Sequence, residues 1–424
     1  VKVPMIKERK FYQMSLAQRL SLIASKTNLT KNEISTAVNQ ALSFDKIDRM
    51  VENAIGVFSL PLGIATNFLI NGKDYLVPMA IEEPSVVAAA SHSAKLAKST
   101  GGFKASADSS IMRGQIQVID VSNFKRAMGI ISKSKDSLLS IANSCSKNVR
   151  AVDLRTRVIK NEIDKRKMLV AEVYVDCKDA MGANTINSMC ELLGPEIERK
   201  TNGKVILKIL SNYATERIAT SKVTFKKEEL GGTEIVDRIL SAFAFAFSDP
   251  HRAVTHNKGI MNGIDAVSIA TGQDFRAIEA AAHAYASRDG KYRTLTTFSK
   301  LSNGDLLGRI EIPLSVGVVG GISTVHPVAK MGLKILGVKS ASELACVIAS
   351  VGLAQNFAAI RALATEGIQK GHMKLHAKNI AVAAGATGKL VEIVSDIMYR
   401  QSNINLSSAR TILHELEDGN PRST

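Results

Sequence analysis

Residues 169–198 read LVAEVYVDCKDAMGANTINSMCELLGPEIE. Leu169, Ala171, Val173 and Val175 alternate with their neighbours, as in a strand with one buried face. The chain then turns through Asp179 to Thr185, and Ala183 to Glu198 carries helical spacing. Upstream, Gln115-Ile116-Gln117-Val118 alternates, Phe124 to Asn143 is spaced as a helix, and Val152 and Leu154 alternate again. Downstream, Val205–Leu210 reads as a closing strand. The order is β-α-β-β-α-β, the signature of a ferredoxin-like split unit of about 100 residues.

The flanks differ from this unit. The N-terminal part reads as helical: Ser15 and Gln18 make a capping-box pattern ahead of Leu16, Leu20 and Ile23, and Thr30 with Glu33 repeats it. Gly101-Gly102 breaks the pattern, and the new unit begins near Ser110. After Tyr213 the chain returns to long helices, glycine turns and small apolar residues. The simplest account is an α+β protein in which a small domain is inserted into a larger, mostly helical one. Beyond about Gly367 the tail is helical and basic, then polar from Glu415.

The 424 residues suffice for two or three domains. Hydrophobic residues at 45% and charged residues at 22% are ordinary values for a folded chain. The formal charge of +16 favours anionic partners. The basic residues are scattered, the longest cluster being Lys7–Lys10, and neither an RNA-binding aromatic motif nor a zinc finger occurs. Phosphate-bearing small molecules therefore fit better than nucleic acid. Cys145, Cys177, Cys190 and Cys346 show no CxxC spacing, which argues against a disulfide framework and a structural zinc site. No apolar run approaches the ~20 residues of a membrane helix, and the first residues lack a signal-peptide core. The expectation is a cytoplasmic protein with no membrane partner.

Five segments carry candidate chemistry. Glu82-Glu83-Pro84-Ser85 sets two carboxylates before an apolar helix, either as catalytic acids or as a first-turn acidic cap. Asp179 to Thr185 joins a strand to a helix whose N-terminus offers N–H groups to a phosphate, or is an ordinary turn; it is not a GxGxxG fingerprint. In HNKGIMNGID, His256 to Asp265, Lys258 can polarise a carbonyl and Asp274 can hold its ammonium. A solvated loop with a surface ion pair explains the same residues. Gly317 to Thr324, with Gly320 and Gly321, is a glycine loop without a Walker lysine, or a tight turn. His372 and His376 stand at i and i+4, but no Glu follows His372, so HExxH is absent and no metal is expected.

Together these segments resemble the class II hydroxymethylglutaryl-CoA (HMG-CoA) reductases, the soluble bacterial and archaeal branch. The matching stretches are Glu52–Gly56, Pro78–Ala90, Asp179–Thr185, His256–Asp265, Gly317–Pro327 and Gln355–His376, in family order from about residue 10 to 400. The resemblance implies that HMG-CoA is reduced to mevalonate and CoA with two reduced nicotinamides. Lys258 would stabilise the oxyanion, Asp274 would bond Lys258, Glu83 would protonate the mevaldehyde oxygen, and His372 would protonate the CoA thiolate. Arg252 and Ser85 would hold the substrate carboxylate, with Asn262 and Asn356 completing the polar network.

The resemblance also implies a substrate-binding domain over 1–109 and 214–367, a cofactor domain over 110–213 and a mobile flap over 368–424. Asp179, Met181, Gly182, Asn184, Gly320 and Gly321 would line the cofactor site. The family's site forms at a dimer interface, so a homodimer or higher homo-oligomer is expected. NADH-using relatives carry an acid where Ser146 stands, followed here by Lys147 and Arg150. Hydroxyl and cationic groups welcome a 2′-phosphate, so NADPH is expected, with NADH possible. The competing readings are oxidation of mevalonate with NAD on the same fold, another CoA-thioester enzyme, and a nucleic-acid-binding module.

Overall fold

A helix that is apolar all round has to be buried all round, and Ala341–Ala364 is such a helix. The computed structural model describes residues 10–38, 42–365 and 368–417, of which 37, 38, 323, 368–375 and 417 by backbone alone. Within it this helix runs through the main hydrophobic core. It is long and apolar enough to cross a membrane, contrary to the expectation from the sequence, yet most of it is buried inside the protein. The helices Val86–Lys98, Thr233–Ser248 and Pro250–Ala270 pack around it. A four-stranded antiparallel sheet covers another side, in the order Lys104–Ala107, Ile218–Phe225, Leu306–Pro313, Thr296–Lys300. Phe225 stacks on Phe357 across this contact, with centroids 3.6 Å apart, an arrangement worth ~0.5–1.5 kcal/mol beyond its buried area.

This sheet, and the hairpin Leu62–Ile70 with Lys73–Ala80, are strands that the sequence reading of the flanks did not place. The α+β class stands, and the larger part of the chain is mostly helical with these two small sheets packed into it.

Residues 111–211 have a hydrophobic core of their own, including Ile116, Leu169, Val173, Ile186 and Met189. The strands lie in the order Arg150–Lys160, Lys167–Asp176, Ile111–Ile119, Lys204–Ser211, each pair antiparallel. This is the ferredoxin-like order that the sequence predicts. Its helices are Phe124–Lys133, Lys135–Asn143 and Ala183–Thr201. The spacing over Phe124 to Asn143 resolves into two helices because the backbone leaves helical geometry at Ser134, φ −94° and ψ 7°.

Two close approaches fix the helix that carries Lys258. A Cβ on Gly263 would lie 2.9 Å from Cβ of Gln355, and one on Gly352 would lie 2.9 Å from the Ile264 side chain. Only glycine lets Pro250–Ala270 lie this close to the central helix. At the N-terminal end the Ser15–Gln18 capping box is formed as predicted. Glu33 accepts from the Thr30 backbone and meets Lys334 at 2.9 Å; these contacts lower its pKa to about 2. The C-terminal helices Ile368–Ala383, Lys389–Arg400 and Leu406–Glu417 share a separate small core around Ala377, Val394, Met398 and Ala409. Lys7 and Gly367 lie outside the described residues.

Candidate active site

Asp249 caps the helix Pro250–Ala270 by accepting from the Arg252 backbone N–H, and Pro250 opens its first turn. The whole His256–Gly263 segment is therefore helical, not a loop. Lys258 and Asn262 stand at i and i+4 on one face. Lys258 Nζ lies 2.8 Å from Glu83 Oε2, and Asn262 Nδ2 donates to the same oxygen at 3.3 Å. Glu83 belongs to the loop between the strand Lys73–Ala80 and the helix Val86–Lys98. Next to it Ser85 adopts a left-handed conformation, φ 77°, which costs a non-glycine residue ~1–3 kcal/mol and is retained mostly at functional sites. The Ser85 hydroxyl is buried without a hydrogen-bond partner among the described residues. Arg252, half-buried, lies earlier on the Lys258 helix; burial alone pulls its pKa down.

Asn356 is differently employed from the expectation. It is 1% exposed, its amide donates to His256 O at 3.1 Å, and its oxygen accepts from Thr296 Oγ1 at 2.8 Å. His256 meets the same hydroxyl at 2.6 Å, and burial drives its pKa down to about 3. Both ends of the Asn356 side chain are spent on holding the Lys258 helix against the central helix and the sheet.

The predicted cofactor residues gather at the opposite end of the Ala183–Thr201 helix from its C-cap. Gly182 precedes that helix with φ 96°, and a Cβ there would stand 2.2 Å from Cys177 Sγ. Val318 and Val319 N–H groups donate to Asp179 O at 2.9 and 3.3 Å, which joins the Asp179–Asn184 turn to the Gly317–Gly321 loop. The Asp179 carboxylate accepts from Ala341 N at 2.9 Å, so one of its oxygens caps the central helix. Gly320 and Gly321 have positive φ, with open space where a Cβ would be. Ser146 and Lys147 lie in the loop that leads to Arg150, and Arg150 pairs with Asp176 at the end of the strand feeding this turn. Ser146 Oγ accepts from Val149 N, and Asn143 pins the loop through both hydrogen bonds to Ala151.

Asp274 makes no hydrogen bond or ion pair with Lys258 in this chain. It caps the next helix by accepting from Ala277 N at 3.1 Å and lies 3.7 Å from Arg276. Gln273, next to Asp274, accepts from Gly317 N at 2.9 Å, which ties the turn before Asp274 to the Gly317–Gly321 loop. His372 falls on the helix Ile368–Ala383, with its side chain outside the described residues.

Sequence reasoning passed over two features. Arg217, 6% exposed, donates to the carbonyls of Ala180, Met181 and Val316 and so clamps both cofactor loops. Its position before the strand Ile218–Phe225 looks like that of any solvated arginine. Asp265, on the Lys258 helix, packs against Glu279, which meets His283 at 2.7 Å. Burial first, then Glu279, pushes Asp265 up to about 8, while His283 holds Glu279 below its usual range.

Over residues 15–377 the chain matches the family described as hydroxymethylglutaryl-coenzyme A reductase. It is similar to the 3-hydroxy-3-methylglutaryl-coenzyme A reductase of Archaeoglobus fulgidus, 53% identical over 411 residues, covering 96% of this chain and 94% of that one. Among solved structures it resembles 3-hydroxy-3-methylglutaryl-coenzyme A reductase from Streptococcus pneumoniae, with a TM-score of 0.81 and 40% identity over 97% of this chain and 100% of that one. A second structure from that organism, of the class II enzyme bound to NADPH in open conformations, gives a TM-score of 0.79 and 41% identity over 95% and 100%.

Proposed function

The chain belongs to the hydroxymethylglutaryl-coenzyme A reductase family, and from that premise we propose that it reduces 3-hydroxy-3-methylglutaryl-CoA to mevalonate and CoA with two NADPH. The observation that carries this reading is the Lys258–Glu83–Asn262 cluster, a cation and an acid on one candidate reaction centre.

The residues around Gly182 fit a dinucleotide. A helix N-terminus presents unpaired N–H groups to a phosphate, open space lies beside Gly320 and Gly321, and Ser146, Lys147 and Arg150 form a polar, basic edge suited to a 2′-phosphate. When bound, the nicotinamide supplies hydride. Lys258 stabilises the negative oxygen that develops on the thioester carbonyl, and its ammonium acts more strongly in a site closed to water. Glu83 delivers the proton to the aldehyde oxygen in the second reduction. Ser85 and Arg252 hold the substrate's free carboxylate, for which a buried unpaired hydroxyl and a half-buried guanidinium are suited. His372 protonates the departing thiolate from the C-terminal flap, residues 368–424. Substrate binding falls to 1–109 with 214–367, and cofactor binding to 110–213.

Lys258 and Asp274 make no hydrogen bond or ion pair with each other within one chain, and on this reading a second copy completes the active site. That copy brings Asp274 and its cofactor loops to Lys258, and a two-fold axis makes two such sites. The exposed apolar side chains of Ile55 and Phe58, 99% and 91% exposed, give this pairing an apolar surface to cover. The setting is the cytoplasm, where the free thiol of Cys145, exposed in the fold, stays reduced.

The test is loss of NADPH absorbance when purified protein meets HMG-CoA. Two cofactors consumed per mevalonate formed supports the assignment, and no turnover by folded protein rejects it.

A further inference from the structure

The chemistry above leaves unused the outer face of the four-stranded sheet. Its register sets Lys104 opposite Lys222, Lys222 opposite Arg309, and Arg309 opposite Thr297. Side chains directly across neighbouring strands stand about 5 Å apart at Cβ. Three cations therefore share one row over three adjacent strands, and none forms an ion pair with a described residue. Like charges set opposite one another weaken a sheet, so the row is a poor choice for stability alone.

The row floors a cavity of about 880 Å³. The lining carries five basic side chains, with Arg288 and Arg293 joining the row, against two acids, Asp289 and Glu311. Glu311 is already engaged, accepting from the Tyr285 hydroxyl and lying 3.7 Å from Arg288. The hydroxyls of Ser106 and Thr220 bond each other in the next row on the same face. On the opposite face, Ser221 bonds Ser350 of the central helix, and Thr296 meets His256 and Asn356. The sheet thus stands between this cavity and the helix that carries Lys258.

We propose that this basin is a second anion site, for the di- or triphosphate group of a small metabolite. The concavity favours a compact ligand over a long polymer. Three strands span about 10 Å, which a run of linked phosphates covers and a single phosphate does not. Binding would relieve the repulsion along the row.

The experiment is calorimetric titration of sodium triphosphate into the full-length protein with saturating NADPH present, and sulfate at matched ionic strength as reference. One triphosphate per chain is expected, bound more tightly than sulfate. Lys222→Gln with Arg309→Gln should weaken it about 10-fold or more without changing basal HMG-CoA turnover. Lys104→Gln, a change on an edge strand, serves the same purpose if the double variant folds poorly. Binding no stronger than sulfate, or unchanged in the variants, overturns the proposal. Displacement by CoA that is unchanged in the Lys222 and Arg309 variants assigns the anion to the substrate site and overturns it too. So does a salt-dependent RNA complex lost in the same variants while triphosphate fails to bind.

Discussion

Glu83 and Lys258, 175 residues apart in the chain, meet at 2.8 Å. The contact depends on a hairpin, a strained serine and a helix held in place by two glycines. Lys258→Ala should lower kcat for HMG-CoA by about 100-fold or more. Its side chain is 62% exposed, so the melting temperature should hardly move. Near-wild-type turnover from the folded variant would remove Lys258 from the mechanism.

Gly182→Ala places a Cβ 2.2 Å from Cys177 Sγ at a φ of 96°. The Asp179–Asn184 turn must shift, and KM for NADPH should rise about 10-fold or more, more steeply than KM for HMG-CoA. Steady-state kinetics with each substrate varied in turn checks this; equal changes in both would point to general unfolding.

His256 is held neutral, its pKa lowered from 6.5 to about 3 by burial and, less, by Arg252. An unfolded histidine takes up a proton below about pH 6.5, whereas the folded one does so only near pH 3. Its contribution to stability is therefore full above pH 6.5 and is lost as pH falls towards 3. Denaturant unfolding between pH 7 and 4 should show this slope, and His256→Gln should flatten it.

Asp265 is raised to about 8 by burial beside Glu279. A carboxyl kept neutral in the fold costs stability as pH rises from its unfolded value near 3.8 towards 8. Asp265→Asn keeps the shape without that cost. It should raise the melting temperature at pH 8 by several degrees, and less at pH 5. An equal or lower melting temperature at pH 8 would show that the Asp265–Glu279 contact is not the liability described.

The inserted unit was legible because each of its strands has one buried face, so that Leu169, Ala171, Val173 and Val175 alternate in sequence. The hairpin at residues 62–80 carried a signal of its own. Asn71-Gly72, with φ 50° and 83°, is the pair a two-residue hairpin turn demands, and the helical pattern on either side masked it. Lys258, Glu83 and Asn262 were legible as a set through the family motifs. Their contact was not, because it depends on how Gly263 and Gly352 let two helices approach. Asn356 belongs to the same motifs but is spent in the core, a role that its residue type does not announce. Arg217 was invisible because a buried arginine that bonds only carbonyls leaves no partner in the sequence pattern.

That Asp274 and Lys258 make no contact within one chain gives the most direct test of the account. Lys258→Ala and Asp274→Asn are each expected to be inactive alone. Co-expressed, they form mixed dimers in which one of the two sites receives Lys258 from one chain and Asp274 from the other. The mixture should recover roughly a quarter of wild-type turnover, since half the dimers are mixed and each holds one intact site. No recovery from mixed dimers that demonstrably form would contradict a site shared between chains.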